Sequence, residues 1–289
     1  MRRLACVLAA LVMVSAAGCG GADETPSLGV ASAQDPESAL IAHIYAEALR
    51  FYGSPAHVEQ SPDPLMKLDT GEARVVPGFT GRVLHRFYPD STARSATQVY
   101  REMVSALPEG IAAGDYTTSA QDKPALAVTA ATAGAWGGRD LTAATRNCDK
   151  LEVGRVSDDS REALPDVPTV LGTCKLPKPR EYPDRATLFA AVRAGEVNAA
   201  WTSTAAPNIP TELLMLSDRT SLIRAENLVP LYRRNELNEA QVLALVIAIP
   251  LGTIIAIYLS EFAGHKDVIF KSTWPSGQGT SLPSFTLSR

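Results

Sequence analysis

The chain has 289 residues, enough for one large domain or two ordinary ones with a sizeable core. Lys plus Arg number 27 against 31 Asp plus Glu, a formal charge of −4, which argues against a nucleic-acid partner. A content of 46% hydrophobic and 20% charged residues argues against disorder anywhere but the ends.

The first element is the N-terminus. Arg2 and Arg3 form a positive start, Leu4 to Val14 an apolar run, and Ser15-Ala16-Ala17-Gly18 a small-residue cleavage zone. This pattern predicts a secretory signal over 1–18 rather than a spanning helix. Small residues directly before Cys19 resemble the bacterial lipobox, which implies cleavage before Cys19 and a lipid on its thiol. The alternative is an ordinary signal with an incidental cysteine. Residues 19–26 then read as a flexible tether to the membrane. An extracytoplasmic location follows, and with it an oxidising compartment. Cys148 and Cys174 are the remaining even pair, so a disulfide between them is expected, the alternative being two buried thiols. Their spacing fits no zinc motif and His is scarce, so no metal site and no cofactor are expected.

The body opens with a strand candidate, Leu28 to Ala33. "DPESALIAHIYAEALRFYG" follows, with Asp35 able to cap, Pro36 fitting the first helical position, and Leu40, Ile44, Ala48 and Phe51 at helical spacing. The loop holding Ser32, before a helix N-terminus, suits a polar ligand group, although most such loops bind nothing. "HVEQS" is a second strand candidate. "VVPGFTGRVL", Val75 to Leu84, reads as a turn because of Pro77-Gly78. Ala96 to Leu107 reads as an amphipathic helix, Pro124 to Ala133 as an apolar strand, and "DLTAATRNC" as a short helix. Asp184 to Thr204 reads as a helix stopped at Gly195, then a strand from Val197. Thr211 to Asp218 and Glu226 to Leu237 are further strand candidates, the latter leading toward a helix. Alternating strands and helices predict a layered α/β fold. Val242 to Leu259 is an uncharged run of 18 residues, at the lower limit for a membrane span. Residues 264–289 have no clear period and read as disordered.

Several segments together resemble the substrate-binding proteins of glycine betaine/choline-type osmoprotectant ABC transporters. They are "ASAQDPESALIAHIYAEALRFYG", "GEARVVPGFTGRVL", "SAQDKPALAVT", "YPDRATLFAAVRAGEVNAAWTST" and "LVPLYRRNEL", and the similarity spans roughly residues 27 to 243. The resemblance implies a two-lobed α/β fold of the type II periplasmic-binding-protein class, with a central cleft that closes on a solute and docks on permease subunits. It implies a small cationic or zwitterionic solute held in a box of aromatic rings. Trimethylammonium cannot donate hydrogen bonds, so ring faces stabilise it, by roughly 0.5 to 2 kcal/mol each. The implied ligand-binding residues are Ser32, Phe79, Thr80, Asp122, Lys123, Trp201 and Thr202. Each has a plainer reading: Phe79 as packing, Trp201 as a core strand residue, Asp122–Lys123 as a solvated turn pair, Ser32 as a loop hydroxyl. Trp136 reads as a loop anchor sooner than a ligand ring. The sequence departs from the family at Arg82, where a small hydroxyl residue is more usual, and near Lys123 and Pro124, where many relatives carry another aromatic.

No G-x-S-x-G, H-E-x-x-H or P-loop pattern is present, and His43, His57, His85 and His265 lie in unrelated contexts. An enzyme is therefore not expected; the rival is a secreted or surface α/β hydrolase with an unidentified nucleophile. The tail departs further. "VIAIPLGTIIAIYLSEFAG" resembles a transmembrane segment of phosphate ABC transporter permeases. It divides the expected organisation into a solute-binding domain over 27–243, a hydrophobic helix over 244–263 and a tail beyond. A chimeric reading frame, a membrane anchor and a buried closing helix compete to explain it.

Overall fold

The computed structural model describes residues 26–160, 163–164 and 166–249. The signal, Cys19, the tether to residue 25, the hydrophobic run from 250 and the tail with His265 lie outside the described residues.

The first lobe begins with β1 (Leu28–Ser32), α1 (Pro36–Phe51), β2 (Ala56–Gln60), α2 (Pro64–Thr70), β3 (Val75–Phe79), α3 (Thr80–Phe87), α4 (Ala96–Ala106) and β4 (Ile111–Ala113). The chain then crosses to the second lobe. There it forms β5 (Pro124–Thr129), α5 (Ala130–Trp136), α6 (Leu141–Arg146), β6 (Val153–Val156), β7 (Val170–Leu171), β8 (Cys174–Lys175), β9 (Arg180–Tyr182), α7 (Arg185–Ala194), β10 (Ala199–Ser203) and β11 (Leu213–Met215). It crosses back to β12 (Leu228–Arg233) and a closing helix, α8, which covers 239–249 of the described residues. The two five-stranded sheets run β2-β1-β3-β12-β4 and β11-β5-β10-β6-β9. β1 is parallel to β2 and β3, and β12 returns antiparallel to β3 and β4. In the other sheet β5 is antiparallel to β10 and β11, while β6 is parallel to β10 and β9.

Local chemistry explains most boundaries. The Asp35, Asp63, Asp140 and Asp184 side chains each accept a backbone N–H in the first turn of the helix that follows. The Pro-Gly pair of "VVPGF" is not a turn. Val75–Phe79 is a strand paired along its length with β12, and Pro77 faces Pro230. The Pro230 carbonyl accepts the Gly114 N–H on its other side, at 2.9 Å, so the two prolines face each other where no ladder bond is required. Likewise the small-residue end of the 124–133 run is helix, not strand: the Thr129 hydroxyl caps α5 by accepting the Thr132 N–H at 3.1 Å.

Each sheet is covered on both faces, and strand alternation divides the side chains. In the first lobe Val76, Val229 and Leu231 pack with α3 and α4, while Val75, Phe79 and Leu228 pack with α1 and α8. In the second, Leu126, Val128 and Trp201 pack with α5 and α6, while Ala127 and Ala200 pack with α7. A disulfide joins Cys148 to Cys174, with Cα atoms 5.7 Å apart, at the edge of the first of those cores. Asn238 and Gln241 cap α8 reciprocally, each side chain accepting the other's backbone N–H. Leu245 and Ile249 are buried in the first lobe's core, so the beginning of the hydrophobic run packs against the body. The helix starts ahead of residue 244 and carries no break there. No helix among the described residues is long and apolar enough to cross a membrane.

Candidate functional site

Two chain crossings join the lobes, 114–123 and 216–227, and they lie side by side. Gln121 and Asn227 form an antiparallel bridge. The Asp122 N–H donates to the Glu226 carbonyl at 3.0 Å, and the Leu228 N–H to the Ala120 carbonyl at 3.0 Å. A cavity of about 480 Å³ opens between the lobes beside this ribbon. Arg82, His85 and Arg94 line it from the first lobe, 166–170 from the second, and Pro124, Ile223, Arg224 and Glu226 from the crossings.

Thr80 begins α3 and is fully buried. Its hydroxyl accepts the Asn227 N–H at 3.1 Å and faces the Ala225 carbonyl at 3.4 Å, so it fastens the first lobe to the returning crossing. Gly81 follows because nothing larger fits: a β-carbon there would lie 2.4 Å from a Glu226 carboxyl oxygen and 2.7 Å from the Ala225 carbonyl. The Glu226 carboxyl accepts the Arg82 N–H at 2.9 Å. Burial pushes Glu226 up to about 7, although the Arg82 N–H and the guanidinium charge pull the other way.

Arg82 organises the cleft wall. Its guanidinium carbon lies 4.6 Å from the centroid of the Phe79 ring. Its Nη2 pairs with the Asp122 carboxylate and donates to the Asp122 carbonyl at 3.2 Å. The other Asp122 oxygen accepts the Ser203 hydroxyl, from the end of β10 in the second lobe. One chain of contacts thus runs Phe79, Arg82, Asp122, Ser203, from one lobe through the hinge to the other. Glu37, in the first turn of α1, stands near the Asp122 carboxylate. Burial and that negative neighbour raise it to about 7, against the attraction of Arg82.

Of the residues the sequence singled out, Phe79, Thr80 and Asp122 come together here. Lys123 pairs instead with Asp218 at 3.1 Å, and Asp218 also accepts the Leu222 and Ile223 N–H groups. The Asp122–Lys123 step is therefore not a solvated turn pair; each side chain has its own partner. Trp201 and Phe79 do not share a box. β10 alternation turns the indole into the second lobe's core with Leu126, Val128 and Trp136, and neither ring is among the residues lining the cleft. Trp136 closes α5 as a buried core residue rather than a loop anchor. Ser32 and Thr202 are buried, and their hydroxyls have no hydrogen-bond partner among the described residues. Glu226, Arg94, Arg224 and Ser203 carry no sequence pattern of their own, and Arg82 stands out only as a departure from the family's usual small hydroxyl residue. The signal available was that departure.

Among the described residues Ser27 Oγ lies 2.9 Å from His57 Nδ1, exposed at the start of β1 and away from the cleft residues. No group of three or more His, Cys, Asp or Glu among the described residues could hold a metal ion.

No protein-family profile and no curated protein matches the chain. Solved structures do. Apo YehZ from Escherichia coli superposes with a TM-score of 0.55 at 20% identity, covering 81% of this chain and 98% of that one. A glycine betaine/carnitine/choline ABC transporter structure gives 0.59 at 12% identity, covering 76% of this chain and 85% of that one. The fold is the two-lobed, type II periplasmic-binding-protein fold. At these identities the likeness extends to architecture and leaves the ligand to the chemistry of the cleft.

Proposed function

We propose that this chain is the solute-binding component of an ABC importer. It is held at the outer face of the membrane by a lipid on Cys19, captures a small solute between its lobes and presents it to permease subunits. The observation that carries the proposal is the pair of adjacent crossings with a cleft beside them, a geometry that lets two rigid lobes close on a ligand. The similarity to a transporter structure supports it. The protein performs no chemistry on its solute. The betaine–choline class is what the sequence resemblance implies; the side chains walling the cleft favour another charge, and experiment separates the two.

The test is melting of the full chain against a panel of small solutes, with analysis of the solute afterwards. A receptor gains stability by mass action and returns its ligand unchanged. Chemical conversion of the solute by purified protein would replace this reading with the hydrolase one.

A further inference from the structure

We propose that the cleft receives a small carboxylate- or phosphate-bearing anion, because Arg82 already occupies the Phe79 ring and the Asp122 carboxylate and joins two further arginines on the cleft wall. The inference rests on the solute-receptor reading above and assigns its ligand class.

A cationic solute in such a cleft needs a ring face and a carboxylate. Phe79 and Asp122 are the pair the sequence offers, and Arg82 already uses both. The ring face is taken by the guanidinium, and the two carboxylate oxygens by Arg82 and Ser203. A second cation would meet like charge there instead of a vacant partner.

Two more arginines, Arg94 and Arg224, line the same wall among prolines and aliphatic side chains. Arg94 and Arg224 lie on adjacent backbone segments, the Ala225 N–H donating to the Arg94 carbonyl at 2.9 Å. Arg94 Nη1 donates to the Leu222 carbonyl at 2.9 Å, and Arg224 Nη2 to the Ser91 carbonyl at 2.7 Å. Carbonyls hold the two guanidiniums in place without neutralising them. Among the described residues neither arginine has a carboxylate within ion-pair distance, and both line the cavity with Arg82 and His85. The acids facing the same space are Glu226, whose burial holds its proton to about 7, and the exposed Asp166 of the second lobe. Each guanidinium is a planar fork of donors that matches a carboxylate or phosphate, and both line the one cavity. Thr169 lines the cavity from the second lobe. A volume of about 480 Å³ suits a small metabolite.

The experiment is calorimetric titration and melting of the full chain with succinate, citrate, inorganic phosphate, glycine betaine and choline. At least one of the three anions is expected to bind. Arg224→Met and Arg94→Gln should each weaken it about tenfold or more, as loss of a charged hydrogen-bond donor does. Arg94 is exposed, so its variant reports binding even if Arg224→Met loses stability. Binding of choline or glycine betaine by the unaltered chain, with no anion bound, overturns the anion assignment and leaves the receptor reading standing. Anion binding indifferent to both arginine variants overturns it too. Silence across these five solutes overturns the anion assignment alone; the receptor reading falls only if no solute of the wider melting panel stabilises the chain.

Discussion

Glu226 shows how one buried carboxyl couples the hinge to pH. Folded, it keeps its proton up to about pH 7; unfolded, it releases it near 4.5. Folding therefore takes up a proton between those values, and this group's contribution is full below about pH 4.5 and is lost as pH rises through 7. The difference corresponds to about 3 kcal/mol as an upper figure. Glu226→Gln should reduce the pH dependence of the melting temperature across that window, with Glu37 leaving a residual slope of the same sign. Thr80 makes a separate test. Thr80→Val keeps the shape but strips the buried Asn227 N–H of its acceptor, and should cost about 1–2 kcal/mol in a denaturant melt. None of this was readable from residue types alone. Glu226 sits in "AENLVP" with no pattern around it, and its meaning comes from a contact with Arg82 across 144 positions of chain.

At the scale of elements, the sequence conveyed what local periodicity and capping can convey. Asp35-Pro36 announced α1 and Gly195 ended α7, because those signals act within a turn or two of chain. "VVPGF" misled because Pro-Gly is a turn signal only where no partner strand is waiting. Here β12 brings its own proline into register, a fact held by residues about 150 positions away. The place of Trp201 is hidden from sequence for a related reason: strand alternation fixes which face it takes only once it is known which face of β10 meets α5. Two variants probe the elements. Gly81→Ala pushes α3 off the returning crossing and should destabilise by about 1–3 kcal/mol. Leu245→Ala, in the part of α8 buried against the first lobe, should cost about 2–4 kcal/mol. A Leu245→Ala protein with an unchanged melting temperature would show that α8 is not integral to the fold.

For the whole molecule, the two lobes have separate cores and separate supports. The Cys148–Cys174 bond closes a 26-residue separation wholly within the second lobe, which by loop entropy corresponds to about 3 kcal/mol. Cys148→Ser with Cys174→Ser should lower the melting of that lobe while leaving hydrogen exchange in β1, β3 and β12 unchanged; equal loss in both lobes would mean they unfold as one unit. Alternation of strand and helix was enough to foresee an α/β fold, but the two-lobed division came from the resemblance, since composition does not reveal where a chain leaves one sheet for another. The crossings carry a mechanical consequence. Two segments zipped together by Asp122, Glu226 and their neighbours act like the paired pins of a door. Such a mounting suppresses torsion and leaves one angular coordinate, so fluorophores fixed on opposite lobes should report a single swing whose end-point tracks the girth of whatever the jaws enclose.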